Sequence, residues 1–433
     1  MGNRKCFRAG GVLLMAALAM AVITGCGGSS SSSSSTASTT EASTKENSGA
    51  APEPSGSTYV IGGLTPVSGE GYDFPDWLAG GKAAVDAINA SGGINGHPVE
   101  YFNCDDKNNP NEATACARKM VEKKVIAVAG GGSLFAENIA TILEEAEIPW
   151  VGGYPETKAQ YNGENEFLLD SGVFMNGAGS AVAFNKAGAK SVGEAHFELP
   201  QSAPSYEAFE SAAKTLGMNL TESVSFPANA TDMSPYVQKM INQGPEGVQV
   251  FAIPNLAVAF MKAANQLGAK FKYAWADGYL TPSEYESVGE YEVDVVGGLP
   301  PVTAGEEDPS KFPGMVEFTE DVEALQKSGE KYAEKQYVGY GMLRTWLAAK
   351  VVAQIAETLK GEVNAPAMLK ALNSAKNIET GVIPPWTPGA NEGPTGYRRI
   401  SNPNIYISEV GSDGFPHLTS PEPLNVLEEA QIK

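Results

Sequence analysis

Histidine is almost missing from this chain: His97, His196 and His417 are the only three, and none stands at zinc-site spacing from a cysteine. Cysteine is scarce too, with four. No Gly-x-Ser-x-Gly turn occurs, and the histidines are far in sequence from any candidate serine, so a hydrolase has no sequence signature here. Sequence distance does not bar proximity in space, so this alone does not exclude one. Gly177-Ala178-Gly179-Ser180 has half of a dinucleotide fingerprint but lacks the third glycine, and reads better as close helix packing. No phosphate-loop motif is present, and Asp105-Asp106 lacks the spacing of a calcium loop. Basic residues are outnumbered, 30 Lys and Arg against 51 Asp and Glu, for a net charge of -21. Such a surface repels phosphate backbones, and no basic stripe offsets it, which excludes nucleic acid as a partner. Beyond the N-terminus no apolar run is long enough to cross a bilayer.

The one notable apolar run is Val12 to Val22, preceded by Arg4, Lys5 and Arg8. It is shorter than the ~20 residues a transmembrane helix needs, so it reads as a secretory signal peptide, residues 1–25. Ile23-Thr24-Gly25-Cys26 resembles the lipobox of bacterial lipoproteins, which implies acylation of Cys26 and anchoring to the outer face of a membrane. Loss of three positives with the signal brings the net charge from -21 to about -24. Residues 26–57 are dominated by Ser, Thr, Gly, Ala, Glu and Pro. That composition buries too little apolar surface to order itself, and a coil of this length spans ~30 Å, so it reads as a tether. Cys6 leaves with the signal and Cys26 takes the lipid. Cys104 and Cys116 remain, an even pair in an exported, oxidising setting, which predicts a disulfide.

From Tyr59 onward short β-rich runs alternate with helical patterns. Strands are predicted at 59–64, 98–103, 125–129, 148–151, 190–197, 220–226, 247–253 and 271–275. Helices are predicted at 77–90, from Pro110 (capped by Asn109), at 134–146, and near 204–216, 234–243 and 256–267. Ser234-Pro235 repeats the cap-plus-proline start, and Asn255 is placed to cap the last of these. The alternation implies parallel sheets flanked by helices, and there are too many units for one sheet. The fold class is therefore α/β with two Rossmann-like lobes.

"AVDAINASGGINGHPVE" (84–100), "CDDKNNPNEATACARKMV" (104–121) and "TDMSPYVQKM" (231–240) resemble the type I periplasmic binding proteins, specifically the branched-chain amino-acid-binding group of ABC-transporter receptors. The resemblance runs from about Tyr59 to the C-terminus, is strongest in its first hundred residues and is diffuse after Pro300. It implies three crossovers between lobes, with 58–173 plus 302–395 in the first and 174–301 plus 396–433 in the second. It also implies a solute bound between lobes that close on it, a monomer, and docking on an ABC permease in the membrane.

Clefts form at the carboxyl ends of open parallel sheets. Gly130-Gly131-Gly132-Ser133 follows a strand there, where glycines let backbone approach a ligand and the hydroxyl adds a donor. The resemblance gives Gly132 and Ser133 the ligand carboxylate; capping of the next helix by Ser133 is the alternative. Gly153, Tyr154 and Thr157 stand in the next turn, where the family binds carboxylate and ammonium, although Tyr154 replaces a small residue. Asp277 falls within one position of the family's acidic partner for the ammonium, or else forms a turn before Gly278. Tyr72, with Phe74 and Trp77, is placed to wall the pocket, and at least one of the three belongs to the core. Gln201 and Asn255 are polar contacts or ordinary loop residues in the second lobe, where the sequence departs from the family pattern. These departures leave the solute open beyond leucine, isoleucine and valine. The expected function is a lipid-anchored receptor, not an enzyme and without cofactor or metal, capturing a small amino acid or related carboxylate or amide for import. A sensor using the same cleft to signal to a membrane partner is the alternative.

Overall fold

The computed structural model describes residues 53–69, 73–170, 172–276, 280–289 and 293–432. The signal, Cys26, the tether as far as residue 52, Tyr72 and Asp277 lie outside the described residues, as does the side chain of Gln201.

Two sheets carry the chain. The first holds β1 (Tyr59–Leu64), β2 (Val99–Cys104), β3 (Ala127–Ala129), β4 (Trp150–Val151) and β5 (Glu166–Phe167) in the spatial order β2-β1-β3-β4-β5, all parallel. The second holds β6 (Ser191–Phe197), β7 (Asn219–Leu220), β8 (Val224–Phe226), β9 (Gly247–Phe251), β10 (Lys272–Ala276), β11 (Val293–Gly297), β12 (Asn404–Val410), β13 (Pro416–Leu418) and β14 (Leu424–Asn425). Its order is β13-β12-β11-β10-β9-β6-β7, with β8 also on β6 and β14 on β12. The β6-to-β11 part is parallel, and β12 runs antiparallel to β11, β13 and β14. Helices flank both sheets, so the central strands are apolar on both faces; Ile61, Val128, Val248 and Val295 are all fully buried.

The helices start where proline and asparagine place them. Pro75–Ala90 has proline in its first turn, and the chain leaves it through Gly92 and Gly93, both at positive φ. Pro110–Lys123 is capped by Asn109, whose side chain accepts from the N–H groups of Asn111 and Glu112. The next helix, Ala136–Glu145, begins two residues later than the sequence suggests. Ser133 Oγ accepts the Phe135 N–H at 3.0 Å, and this turn occupies the residues that would have formed the first turn. Asn255 caps nothing in the expected sense: the helix Pro254–Gln266 is preceded by Ile253, and Asn255 sits inside its first turn with Oδ1 on the Leu256 N–H at 2.9 Å. Gly177 and Gly179 lie in the helix Gly172–Lys186, where a Cβ would overlap the Ser205 carbonyl and the Ile405 side chain. The half-fingerprint is a packing surface.

Cys104 and Cys116 form the disulfide, with Cα atoms 5.5 Å apart, tying the end of β2 to the helix Pro110–Lys123.

The chain passes between sheets three times: after β5, after β11, and before β12. Between the second and third passes the helix Tyr340–Glu357 returns to the first sheet, packing on Pro75–Ala90, β3 and β4. The passes are laced together. Ser401 Oγ donates to the Leu168 carbonyl at 2.9 Å, and Asn402 Nδ2 donates to the Leu169 carbonyl at 2.7 Å and the Gly298 carbonyl at 3.5 Å.

Candidate functional site

In the first sheet β2 and β3 lie on opposite sides of β1, so the loops after β1 and β3 diverge at their carboxyl ends. The parallel part of the second sheet repeats this, with β7 and β8 on one side of β6 and β9 on the other. Divergent loops at such a switch point leave a crevice. Five of the sequence candidates follow β3 and β4, and the structure brings two of them, Gly132 and Tyr154, together against Trp77.

The glycine loop after β3 is tightly held. Gly130 and Gly131 take positive φ, and a Cβ on Gly131 would overlap the Leu64 carbonyl. A Cβ on Gly132 would stand 3.2 Å from the Trp77 indole and 3.4 Å from Tyr154 Cβ. Ser133 is 1 % exposed, and its hydroxyl donates to the Asp106 carboxylate while accepting the Phe135 N–H. A hydroxyl has one proton to donate. In this arrangement that proton points at Asp106. Burial pushes the Asp106 carboxyl above its usual range, against the pull of the Ser133 hydroxyl and the Asn108 N–H.

Beside Gly132, Tyr154 is buried, takes a hydrogen bond from Asn176 Nδ2 at 3.2 Å and meets Trp77 edge-on at 6.4 Å. Gly153 precedes it, where a Cβ would press into the Trp150 indole. Arg344, from the helix Tyr340–Glu357, sets its guanidinium 4.5 Å from the Tyr154 ring and 5.6 Å from that of Trp77, and pairs with Asp170 at the first pass between sheets. Thr157 turns away from this cluster toward Gln160, whose Oε1 accepts from both the Thr157 N–H and the Glu156 N–H. Asn255 is exposed in the second half of the molecule.

Trp77 also borders open space. There Phe74 stacks on Trp77 with centroids 4.3 Å apart and planes 13° apart. A cavity of about 80 Å³ is lined by Phe74, Asp76 and Trp77 from the first sheet's side and by Leu280, Thr281 and Phe415 from the second's, with Tyr337 and Tyr340 completing it. It shares Thr281, Pro282, Gln336, Tyr337 and Gly414 with a wider outer cavity of about 940 Å³. Both cavities therefore lie between the two sheets.

Sequence reasoning passed over Asp76, Tyr340 and Arg344. Asp76 reads as an ordinary helix-start acid beside Pro75, and only its neighbours Phe74 and Trp77 hinted at the pocket. Arg344 left a clearer signal, as the lone arginine in the apolar run Tyr340–Ala349. Asp76 keeps some solvent contact, yet the protein around it strips most of its hydration. Burial pushes its carboxyl up to about 7, helped by Asp73 and opposed by its own N–H and that of Trp77. Among the described residues no group of three or more His, Cys, Asp or Glu is placed to hold a metal, and no helix is long and apolar enough to cross a membrane.

Residues 58–414 match the periplasmic binding protein family. A Leu/Ile/Val-binding protein homolog of Brucella abortus (strain 2308) is 28 % identical over 358 residues, covering 77 % of this chain and 84 % of the relative. Among solved structures, a fatty acid ABC transporter substrate-binding protein from Thermomonospora curvata superposes with a TM-score of 0.73 at 14 % identity, over 88 % of this chain and 96 % of that one. The branched-chain amino acid transporter substrate-binding protein of Streptococcus pneumoniae, in complex with isoleucine, gives 0.66 at 19 % identity, over 85 % and 99 %. At these identities the superpositions speak for the fold alone.

Proposed function

The chain belongs to the periplasmic binding protein family, and we propose that it is a lipid-anchored receptor that captures a small amino acid or related carboxylate or amide and delivers it to an ABC importer. The observation that carries this reading is the cavity between the two sheets, with walls from the loops after β1 and β10 and from the β12–β13 hairpin. A solute held there touches both halves, so its binding favours whichever arrangement brings them together. The similarity to a Leu/Ile/Val-binding protein homolog and to a branched-chain amino acid transporter substrate-binding protein supports the substrate class and the importer. The halves correspond to 58–173 plus 302–395 and 174–301 plus 396–433. Cys26 would carry the lipid that keeps the receptor at the outer membrane face near its permease.

Thermal-shift screening against amino acids, aromatic carboxylates, amides and urea tests the reading. A cognate solute at a hundred times its Kd should stabilise the protein by ~2.7 kcal/mol. A panel in which nothing stabilises, or a cognate solute found bound away from the inter-sheet cavity, would overturn it. Cys26→Ser should move the protein from the membrane fraction to the soluble exported fraction.

A further inference from the structure

Among the described residues, every charged side chain that lines the two connected cavities is an acid. Asp76 lines the inner cavity, and Glu286 and Asp413 line the outer one; among the described residues neither cavity has a Lys, Arg or His in its wall. The groups that act on Asp76 are its own N–H, the Trp77 N–H and the Asp73 carboxylate, with no basic side chain among them. A carboxylate stripped of water without a counter-ion is costly, and among the described residues no cationic side chain offsets that cost for Asp76. The rest of the inner wall is uncharged and includes five rings, Phe74 stacked on Trp77 together with Tyr337, Tyr340 and Phe415, beside aliphatic residues such as Leu280 and Val302. Rings beside a carboxylate suit a cation with apolar substituents, since ring faces attract positive charge.

We propose that the inner cavity is a subsite for the protonated amine of the solute, with the Asp76 carboxylate as its counter-ion and the Phe74–Trp77 pair and the facing rings as its walls. The volume fits: about 80 Å³ is the space of two to three water molecules at ~30 Å³ each, enough for an ammonium and the carbon that bears it. The remainder of the solute then extends into the outer cavity past Thr281 and Tyr337. A bound ammonium would draw the Asp76 carboxyl back down from about 7. The inference rests on the cleft-receptor reading above and adds to it the charge of the ligand.

Three probes related to leucine separate the possibilities: leucine itself as zwitterion, isopentylamine (leucine without its carboxyl group) as cation and 4-methylpentanoate (leucine without its amine) as anion. Calorimetry on the full chain in detergent should find that the amine-bearing probes bind and the anion does not. Asp76→Asn should weaken each amine at least tenfold, whereas Asp73→Asn, which removes the same charge outside the cavity wall, should stay within twofold. Unchanged amine affinity in Asp76→Asn overturns the proposal, as does tighter binding of 4-methylpentanoate than of either amine; in the latter case the receptor reading stands. Binding of none of the three also removes the amine subsite, and the wider solute panel then decides the receptor reading separately. The order of affinity among the probes is read on the native chain, so the test holds even if Asp76→Asn folds poorly.

Discussion

Glu166 is fully buried in β5, and neither of its carboxylate oxygens has a hydrogen-bond partner. Burial pushes its carboxyl well above the usual range; Arg399 pulls it down and Glu144 pushes it further up. A carboxyl whose folded pKa is raised contributes its full stability below the unfolded value of ~4.3 and loses it as pH rises toward the folded value. Wild-type stability should therefore decline above pH ~4.3 relative to Glu166→Gln, and the gap between the two denaturation curves should widen toward neutrality. Equal pH slopes would contradict this. Ser133 offers a second test at this scale. Its hydroxyl serves Asp106 and the Phe135 N–H, so Ser133→Ala should cost about 1–3 kcal/mol in urea denaturation without any ligand present. That result would separate its fixed structural bonds from any contact with solute. Neither role was legible beforehand, because a serine after a glycine run looks the same whether it faces a ligand or a buried acid.

Among the helices up to residue 275, those with one wet face were readable and the one buried all round was not, while the buried central strands were found from their β-rich runs. The helices near 204–216 and 234–243 were placed within a residue or two because one face is apolar and the other wet. Gly172–Lys186 and Tyr340–Glu357 are apolar nearly all round, so they carry no periodic stripe, and the short strand at Glu166–Phe167 is below the length at which alternation shows. Asn109 worked as a cap because its side chain is the right length to reach two N–H groups, whereas Asn255 did not because Pro254 had already begun the helix. The contact between Pro75–Ala90 and Tyr340–Glu357 depends on glycine. A Cβ at Gly80 would overlap the Met342 carbonyl, and one at Gly341 would overlap the Trp77 indole. Gly341→Ala should destabilise by about 1–3 kcal/mol through overpacking and should also disturb solute binding, since Trp77 forms the cavity wall. Opening the Cys104–Cys116 loop should cost ~3 kcal/mol and leave binding intact, because the bond lies at the outer strand of the first sheet. Reduction that abolished binding while the fold survived would contradict that placement.

At the scale of the whole molecule, the resemblance led to the correct fold. The rest depends on contacts between residues far apart in sequence. Arg344 meets Asp170 across 174 positions, and Asn402 meets Leu169 across 233. No local pattern encodes such pairs. Asn402→Ala should leave the Leu169 and Gly298 carbonyls without this donor, lowering stability by about 1–3 kcal/mol. It should also loosen the three passes, which small-angle scattering would register as a larger radius of gyration in solute-free protein. An unchanged radius would show that the other crossings hold the hinge alone.

The interleaved path has a consequence for biosynthesis. The first sheet is complete in sequence by Phe167, but the helix that covers one of its faces, Tyr340–Glu357, is made almost two hundred residues later. A ribosome or export channel releasing the chain from its N-terminus therefore delivers a naked apolar layer that must wait for its lid. Neither half can mature as an independent nascent unit, and chaperone dependence should peak while the middle of the chain is emerging.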